Sequence, residues 1–389
     1  MNHTNLFARR MILALGVILF AACTPAAPAA TPVPPTATPV PPTATPVPPT
    51  AAPAQGVQLN PSPRAEISLA YDSKTNQVLF FGGMDKDPCW KDCPLPFFGD
   101  TWIYDVAANS WTEVKTPSAP DPRDNTALTY DVESDRIILY SGAISAANYA
   151  PRDTWAFDMN TKTWTQMKSQ GPPYHFGHSM VYDSESDRMI LFGGYNIDDN
   201  VVINDTWAYD YNTDTWTEMK PAISPPGRNF QSMVYDSKAD RVIMWGGEGM
   251  KDADFDKSLW AYDYNTDTWE ERKPTGGPSF RWFHNMAYDS KADRTILYGG
   301  YTGSTESDFD FSKYNSTETW AYDYTLNTWR LLNPAVNPGQ VVEVGQVYLP
   351  SIDRVLLFGG RLDINRKFSN KTWLYDYTTN TWTEVTPKP

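Results

Sequence analysis

Residues 188–194 read Arg-Met-Ile-Leu-Phe-Gly-Gly, and residues 205–216 continue as Asp-Thr-Trp-Ala-Tyr-Asp-Tyr-Asn-Thr-Asp-Thr-Trp. The same pattern occurs six times between residues 64 and 389: an apolar run ending in Gly-Gly or, once, Ser-Gly, and then two Trp nine residues apart. The pairs are Trp102/Trp111, Trp155/Trp164, Trp207/Trp216, Trp260/Trp269, Trp320/Trp329 and Trp373/Trp382. Self-similarity at a period of 52 to 60 residues indicates one supersecondary unit copied around a ring or along a stack.

Each copy contains four segments with the composition of β-strands. In the third copy, residues 175–183 predict a first strand, A, and residues 188–194 predict a second, B. After a loop of variable length, residues 205–210 predict strand C, and strand D begins near Trp216. Short turns rich in Asp, Ser and Asn connect A to B and C to D. We therefore predict a four-stranded antiparallel meander for each copy.

A single sheet of this kind exposes an apolar row on each face, so it needs a neighbour on both sides. The repeats resemble the kelch repeat, which has an Arg, a polar residue or His, a hydrophobic strand, Gly-Gly, and then spaced Tyr and Trp; the resemblance covers residues 64 to 385. It implies an all-β, six-bladed kelch-type β-propeller with strand A innermost and strand D outermost. We expect the blades at about 64–116, 123–168, 175–220, 228–273, 281–333 and 341–386.

Two details of the ring are also predicted. Glycine has no side chain and accepts positive φ, so we expect each glycine pair to let strand B pass close to a neighbouring aromatic ring. The paired Trp are expected to be structural core, because a catalytic group would not be needed six times. How the ring closes is left open by the sequence, with an outer strand from residues 57–60 as one solution.

The first residues have the features of a secretory signal. Within residues 1–22, two cations precede an apolar run over residues 11–22 that is too short to span a bilayer comfortably. Residues 19–23 resemble the lipobox of bacterial lipoproteins, in which the Cys is acylated; ordinary cleavage after Ala22 is the alternative. We expect Cys23 to be lipidated and to hold the protein at the outer surface of the cell membrane, in the cell envelope.

A proline-rich stretch follows the predicted anchor. Thr-Pro-Val-Pro-Pro-Thr-Ala occurs without change at residues 31–37, 38–44 and 45–51. Proline at this density fixes φ and removes N–H donors, which favours an extended polyproline II spacer. The predicted organisation is therefore a signal peptide at 1–22, the lipidated Cys with a disordered Pro/Thr-rich stalk at 23–56, and the propeller at 57–389.

Composition excludes several classes of function. The net charge of −14 argues against nucleic-acid binding, because phosphates would be repelled. With 4 His and 3 Cys, neither a zinc cluster nor a disulfide framework organises the chain, and we expect no metal and no cofactor. Cys89 and Cys93, in the first variable loop, are expected to form a disulfide, as suits an exported protein.

One face of the predicted disc collects both the B–C loops and the D–A connections, because strands A and B are antiparallel. The B–C segments vary among the copies whereas the A–B and C–D turns hardly do, and variation over a rigid scaffold is typical of recognition. We therefore expect this face to bind the ligand.

Strand A begins on that face with polar residues. The first position carries an Arg in four copies and His175 in the third, and the position three residues later carries His or Gln in copies three to five. The predicted ligand-binding residues are Arg64, Arg123, His175, His178, Arg228, Gln231, Arg281 and His284. Crowded cations in an acidic protein would pair with local carboxylates or bind an anionic ligand. A structural role, in which kelch arginines tie loops together through backbone carbonyls, stays open.

Two functions of different classes fit these features. The first is a monomeric, surface-anchored propeller that binds an extracellular protein or glycan of anionic character without catalysis. The second is a carbohydrate-active enzyme resembling N-acetylneuraminate mutarotase, in which the arginines clamp a sugar carboxylate while Glu66, Glu343 or His284 acts as acid or base. The sequence lacks a Gly-Xaa-Ser-Xaa-Gly elbow, a phosphate loop and a His-Glu-Xaa-Xaa-His motif, so we favour the binding module.

Overall fold

A computed structural model describes residues 60–85, 97–144, 150–173, 176–196, 199, 201–249, 258–302, 315–362 and 367–388. The predicted signal peptide, lipidated Cys23, the stalk, the Cys89–Cys93 disulfide and His175 lie outside the described residues. Within those residues the chain forms strands and turns, and no helix has the length and apolar character needed to span a membrane.

The strands fall into six consecutive groups. Blade one contains β1 Ala70–Asp72, β2 Gln77–Phe81, β3 Thr101–Asp105 and β4 Ser110–Val114; blade two contains β5 Ala127–Asp131, β6 Arg136–Tyr140, β7 Thr154–Asp158 and β8 Thr163–Gln166. Blade three contains β9 Ser179–Asp183, β10 Arg188–Phe192, a loop hairpin of β11 Tyr195–Asn196 and β12 Val201–Val202, then β13 Thr206–Asp210 and β14 Thr215–Met219. Blade four contains β15 Ser232–Asp236, β16 Arg241–Trp245, β17 Leu259–Asp263 and β18 Thr268–Arg272. Blade five contains β19 Asn285–Asp289, β20 Arg294–Tyr298, β21 Thr319–Asp323 and β22 Thr328–Leu332; blade six contains β23 Gly345–Leu349, β24 Arg354–Phe358, β25 Thr372–Asp376 and β26 Thr381–Glu384.

Each blade is a four-stranded antiparallel sheet in the order A-B-C-D, as in β1-β2-β3-β4. The six A strands contact one another in sequence, β1 to β5, β9, β15, β19 and β23, and β23 contacts β1. The all-β, six-bladed propeller with strand A innermost is therefore confirmed. Strand B is the most buried of each sheet, since blades pack against both of its faces; Val78, Leu79 and Phe80 have no exposed surface.

The first described residues, from Asn60 onward, contact the last blade and so close the ring. The side-chain amide of Asn60 donates a 2.6 Å hydrogen bond to the carbonyl of Pro387, and the amide of Asn370 donates to the carbonyl of Pro61 at 3.3 Å. The backbone N–H of Arg64 adds a 3.0 Å bond to the carbonyl of Ser369. Asn60, the described residue of the segment expected to add an outer strand, lies outside any strand.

A repeated hydrogen bond joins neighbouring blades, and we call it the Trp–Thr bond. The second Trp of a repeat donates its indole N–H to the Thr that begins strand C of the preceding blade, over 2.9 to 3.0 Å. The pairs are Trp164 with Thr101, Trp216 with Thr154, Trp269 with Thr206, Trp382 with Thr319 and, from blade one to blade six, Trp111 with Thr372. The predicted structural role of this Trp thus includes a directional contact as well as burial.

The glycine pairs make a second repeated contact. The N–H of Gly83 donates to the carbonyl of Arg123 in the next blade at 2.9 Å, and both Gly82 and Gly83 have positive φ. A Cβ on Gly82 would lie 2.3 Å from the same carbonyl oxygen, so no other residue fits without displacement. The expectation of positive φ is confirmed, but the expected aromatic neighbour was wrong here: the close neighbour is a backbone carbonyl.

Candidate binding site at the channel mouth

The innermost strands surround a channel with a cavity volume of about 480 Å³. Isolated bridges such as Ala65 with Met84 and Trp282 with Tyr301 pair the segment before strand A with the start of the B–C loop. The B–C loops and the D–A connections therefore share one face, and this end of the channel is its mouth.

Six residues, one from each blade, encircle the mouth; we call them the mouth ring. Every one has a left-handed backbone, with φ between 49° and 64°. Backbone N–H groups of Glu66, Asn125, Phe230, Phe283 and Glu343 each donate to the carbonyl of the residue one blade earlier in the ring, over 2.7 to 3.3 Å. The members, in order, are Glu66, Asn125, Gly177, Phe230, Phe283 and Glu343.

One side of the mouth is aromatic. The rings of Phe230 and Phe283 have centroids 4.3 Å apart, and Trp282 stacks on Phe283 at 4.5 Å with an interplanar angle of 25°. Phe230 also meets Phe176 edge-on at 6.2 Å. Phe230 and Phe283 remain half-buried and line the channel, so their faces are accessible to a ligand.

The other side of the mouth is acidic. The amide of Asn125 donates to Glu66 at 2.7 Å, and Arg361 lies 3.7 Å from a carboxylate oxygen of Glu343. Asp124, the residue before Asn125, is buried, and its pKa is raised to about 7; burial is the main cause and the charge of Glu343 adds to it, while hydrogen bonding with Glu66 and Asn125 opposes the rise. The lining of the mouth thus carries carboxylates on blades six and one and aromatic rings on blades four and five.

The four arginines predicted to bind ligand do not line the channel. Arg123 is fully buried and donates to the carbonyl of Ser141 at 3.2 Å and to Asp153 at 2.7 Å, both within its own blade. Arg64, Arg228 and Arg281 are buried in the same way, with Gly82, Gly246 and Gly299 supplying the carbonyls. The guanidinium groups of Arg64, Arg123 and Arg281 also bond a side chain just before strand C, so they fasten the end of strand B to the start of strand C; this is the structural role that the sequence left open.

The second set of predicted residues does reach the channel wall. His178, Gln231 and His284 line it, although each is less than a tenth exposed. Gln231 donates to the carbonyl of Phe192 at 2.8 Å, and the ring of His284 packs edge-on against Trp245. Burial, and then the charge of Arg281, lowers the pKa of His284 to about 3, so this imidazole is neutral. The structure therefore brings Glu66, Glu343 and the polar wall residues to one channel and leaves the arginines behind it.

Sequence reasoning missed Asn125, Phe230, Phe283 and Asp124. Alignment of the copies could have grouped the ring residues by position, because each stands two residues after the aligned position that carries an Arg in four copies, His175 in the third and Val341 in the sixth. Elsewhere in the described residues, Asp183, Glu185 and Asp240 place carboxylate oxygens within 4.8 Å of one another, close enough to hold a metal ion. Two of them already accept turn hydrogen bonds, from Glu185 N–H and the hydroxyl of Tyr235, which accounts for their positions.

Comparison with known proteins agrees with this architecture. Kelch-like protein 36 of Bos taurus is 25% identical over 323 residues, which is 80% of this chain and 46% of that protein; its Mus musculus counterpart is 25% identical over 314 residues, 78% of this chain and 46% of that protein. Mei4-dependent protein 6 of Schizosaccharomyces pombe is 26% identical over 170 residues, 41% of this chain and 23% of that protein. The chain thus spans less than half the length of these curated relatives.

Two family models match the repeats directly. The one described as Kelch motif matches residues 353–389. The one described as Attractin/LZTR1 beta-propeller matches residues 96–350, which is more than half of the chain. With six kelch-type blades closed into a ring, the chain belongs to the Attractin/LZTR1 beta-propeller family.

Proposed function

We propose that this propeller is the binding module of a surface-anchored protein and that it captures an extracellular protein partner at the mouth ring. Kelch propellers generally act as protein-interaction modules, which supports the class of function. The choice of this face rests on the mouth ring, which combines the carboxylates of Glu66 and Glu343 with the aromatic rings of Phe230 and Phe283.

Backbone energetics support a role for these side chains beyond folding. A left-handed conformation costs a residue with a Cβ about 1–2 kcal/mol, and glycine avoids that cost. Gly177 occupies one of the six positions, yet Glu66, Phe230, Phe283 and Glu343 keep large side chains at the same φ. Side chains held in unfavourable backbone conformations cluster at functional sites.

The chemistry of the mouth favours a cationic group on the partner. Aromatic faces and carboxylates both attract ammonium and guanidinium groups, and the net charge of −14 adds long-range attraction. Gln231 and Gln346 line the channel below, and their amide oxygens accept no hydrogen bond within the described residues. We therefore propose a Lys or Arg side chain of the partner as the group that enters, in place of the anionic ligand expected from the arginines.

Attachment to the cell surface is part of the same proposal. Acylation of Cys23 would anchor the chain, since each buried CH₂ of an acyl chain contributes about 0.8 kcal/mol of membrane affinity. Residues 23–56 would then hold the propeller away from the bilayer. Radiolabelled palmitate incorporation that persists in Cys23→Ser would disprove lipidation at this residue.

A peptide-binding experiment tests the mouth. Surface-immobilised full chain should bind a lysine- and arginine-rich peptide, and the double variant Glu66→Gln/Glu343→Gln should lose about tenfold or more in affinity through the lost charge pairing. Glu133→Gln, an exposed carboxylate in the A–B turn of blade two, is the matched control and should bind like the wild type. Equal binding by wild type and double variant would refute the site. Salt-insensitive capture of neutral glycans instead would favour a glycan ligand.

One observation favours a second candidate function, a sugar-anomerising enzyme. Glu66, Glu343 and Asp124 are neighbours, and Asp124 has a pKa near 7, the range suited to general acid–base catalysis. Anomerisation of N-acetylneuraminate followed by NMR tests it: a rate above that of buffer, lost in Asp124→Asn, would support the enzyme, whereas the buffer rate would dismiss it.

A further inference from the structure

The Trp–Thr bond that joins the other blades is absent between blades four and five. Strand C of blade four begins with Leu259, where the other blades have Thr. Leu259 has no hydroxyl, so Trp329 of blade five finds no acceptor there, and its indole nitrogen has no hydrogen-bond partner among the described residues. Trp329 is 7% exposed, and a buried N–H without an acceptor costs about 1–3 kcal/mol.

A pocket lies at this same junction. Its cavity volume is about 590 Å³, and Trp329 forms part of its wall together with Trp245, whose ring centroid is 5.8 Å away. Pro274 and Pro278 add apolar surface to the rim. The interruption of the repeat and the pocket therefore coincide at Trp329.

The connection from blade four to blade five leaves this junction open. Thr275 pairs in parallel with Thr328 at the start of β22, and its carbonyl accepts the N–H of Trp329 at 3.1 Å. Gly276 and Gly277 follow with positive φ. A Cβ on Gly277 would lie 3.1 Å from Cδ1 and 3.8 Å from Nε1 of Trp329, so glycine keeps the N–H edge of the indole free of a side chain.

The described lining of the pocket is rich in hydrogen-bond donors and contains no carboxylate. Besides the indole N–H it includes Arg272, Lys273 and the hydroxyl-bearing Ser279. Arg272 is held in place by a 4.3 Å stacking contact on Tyr324 and a bond to the carbonyl of Tyr324. Glu270 and Glu271 approach these cations at 3.9 and 3.4 Å from outside the lining, and their exposure weakens those ion pairs.

We propose that this pocket between blades four and five is a second ligand site, which takes a small apolar group bearing one carboxylate. The apolar part packs on Trp245 and Trp329, and the carboxylate accepts the indole N–H of Trp329 and pairs with Lys273 and Arg272. An aromatic or aliphatic acid has this chemistry, and so does the carboxyl terminus of a peptide that ends in an aromatic residue. The site is independent of the channel mouth and of the partner proposed for it.

Benzoate titrated into the full chain, with the indole N–H resonances followed by NMR, tests the site. We expect one indole signal, absent in Trp329→Phe, to shift saturably, and benzamide, which has the same shape without the charge, to bind about tenfold more weakly. A free-acid peptide ending in Phe and its amide distinguish the two sources: binding of the free-acid peptide assigns a peptide terminus, and binding of benzoate alone assigns a small acid.

Two substitutions separate binding from folding. Leu259→Thr restores the missing acceptor, so it should raise the melting temperature while weakening benzoate binding about tenfold, because the indole N–H is then occupied. Thr206→Leu removes the equivalent acceptor of Trp269, between other blades, and should lower the melting temperature without changing benzoate affinity. No saturable shift, equal affinity for benzamide, or unchanged affinity in Leu259→Thr would each overturn the proposal.

Discussion

The indole nitrogen of Trp111 in blade one donates a 3.0 Å hydrogen bond to the hydroxyl of Thr372 in blade six, and both side chains are buried. The two residues are 261 positions apart, so this single bond ties the first repeat to the last. The same bond joins the blades at four of the other five junctions, so the closing junction is built like these internal ones.

Replacing Thr372 by Val should destabilise the ring at this junction. Val preserves the shape but leaves the indole N–H of Trp111 without an acceptor, which costs about 1–3 kcal/mol in the free energy of unfolding. Urea denaturation followed by Trp fluorescence measures the change. Thr372→Ser, which keeps the hydroxyl, should retain most of the stability; equal midpoints for the Val variant and the wild type would contradict the assignment.

Arg123→Met should unfold the protein more readily. The guanidinium of Arg123 is fully buried, and its removal takes the charged partner from Asp153 and one hydrogen bond from the carbonyl of Ser141, a loss of about 3 kcal/mol. Arg136→Met is the control, because Arg136 is partly exposed and its 3.1 Å pair with Asp158 is worth at most about 1 kcal/mol. If Arg123→Met is as stable as the wild type but binds the partner more weakly, Arg123 belongs to the ligand site, as the sequence predicted.

Asp124 should make stability fall as the pH rises. Its pKa is about 7 in the folded protein and 3.8 as the ordinary value, so between these pH values the folded state holds the proton and the unfolded state does not. The stabilisation is therefore fully present below about pH 4 and lost by about pH 7. Free energies of unfolding for the wild type and Asp124→Asn, measured from pH 4 to 8, should diverge in this window, and parallel profiles would exclude the effect.

At Phe283, replacement by glycine should give a more stable protein than replacement by alanine, which reverses the usual order of the two. At its φ of 55°, Phe283→Gly should be more stable than Phe283→Ala by about 1 kcal/mol, because only glycine avoids the left-handed cost. At Tyr288 in β19, where the backbone is extended, alanine should be the more stable of the two replacements. Chemical denaturation gives the free energy of unfolding of the four variants. If the alanine variant is the more stable at both positions, the mouth ring is not strained.

The fold could be predicted from the sequence because its decisive signal is repeated. The two Trp, such as Trp207 and Trp216, recur nine residues apart in every copy after an apolar run that ends in Gly-Gly or Ser-Gly, so period, strand order and blade number all followed from alignment of the chain with itself. Side-chain direction at the channel could not be predicted in that way. Arg123 was expected at the start of strand A, whereas strand A of its blade begins at Ala127; its side chain turns into the blade because it bonds Asp153, thirty residues later.

The side chains that the mouth ring presents to the channel could not be predicted from the sequence either. A left-handed residue two positions after the Arg, or after Val341 in the sixth copy, turns the backbone, and this turn presents Phe230 and Glu343 to the channel. Phe and Glu are poor indicators of such a conformation, since glycine and asparagine are the residues that usually adopt it. Only Gly177 and Asn125 carried that signal in the sequence.

Because Asn60 contacts Pro387, the propeller could begin at another point of the ring without a change in its architecture. Every blade is built from contiguous residues, and Asn60 contacts Pro387, so a short peptide linker could join the two ends of the propeller at these residues while new termini are opened in an exposed turn such as that at Thr213. Such a circular permutant would keep all six sheets and their junctions. A fusion partner could then be mounted at any of several points around the circumference.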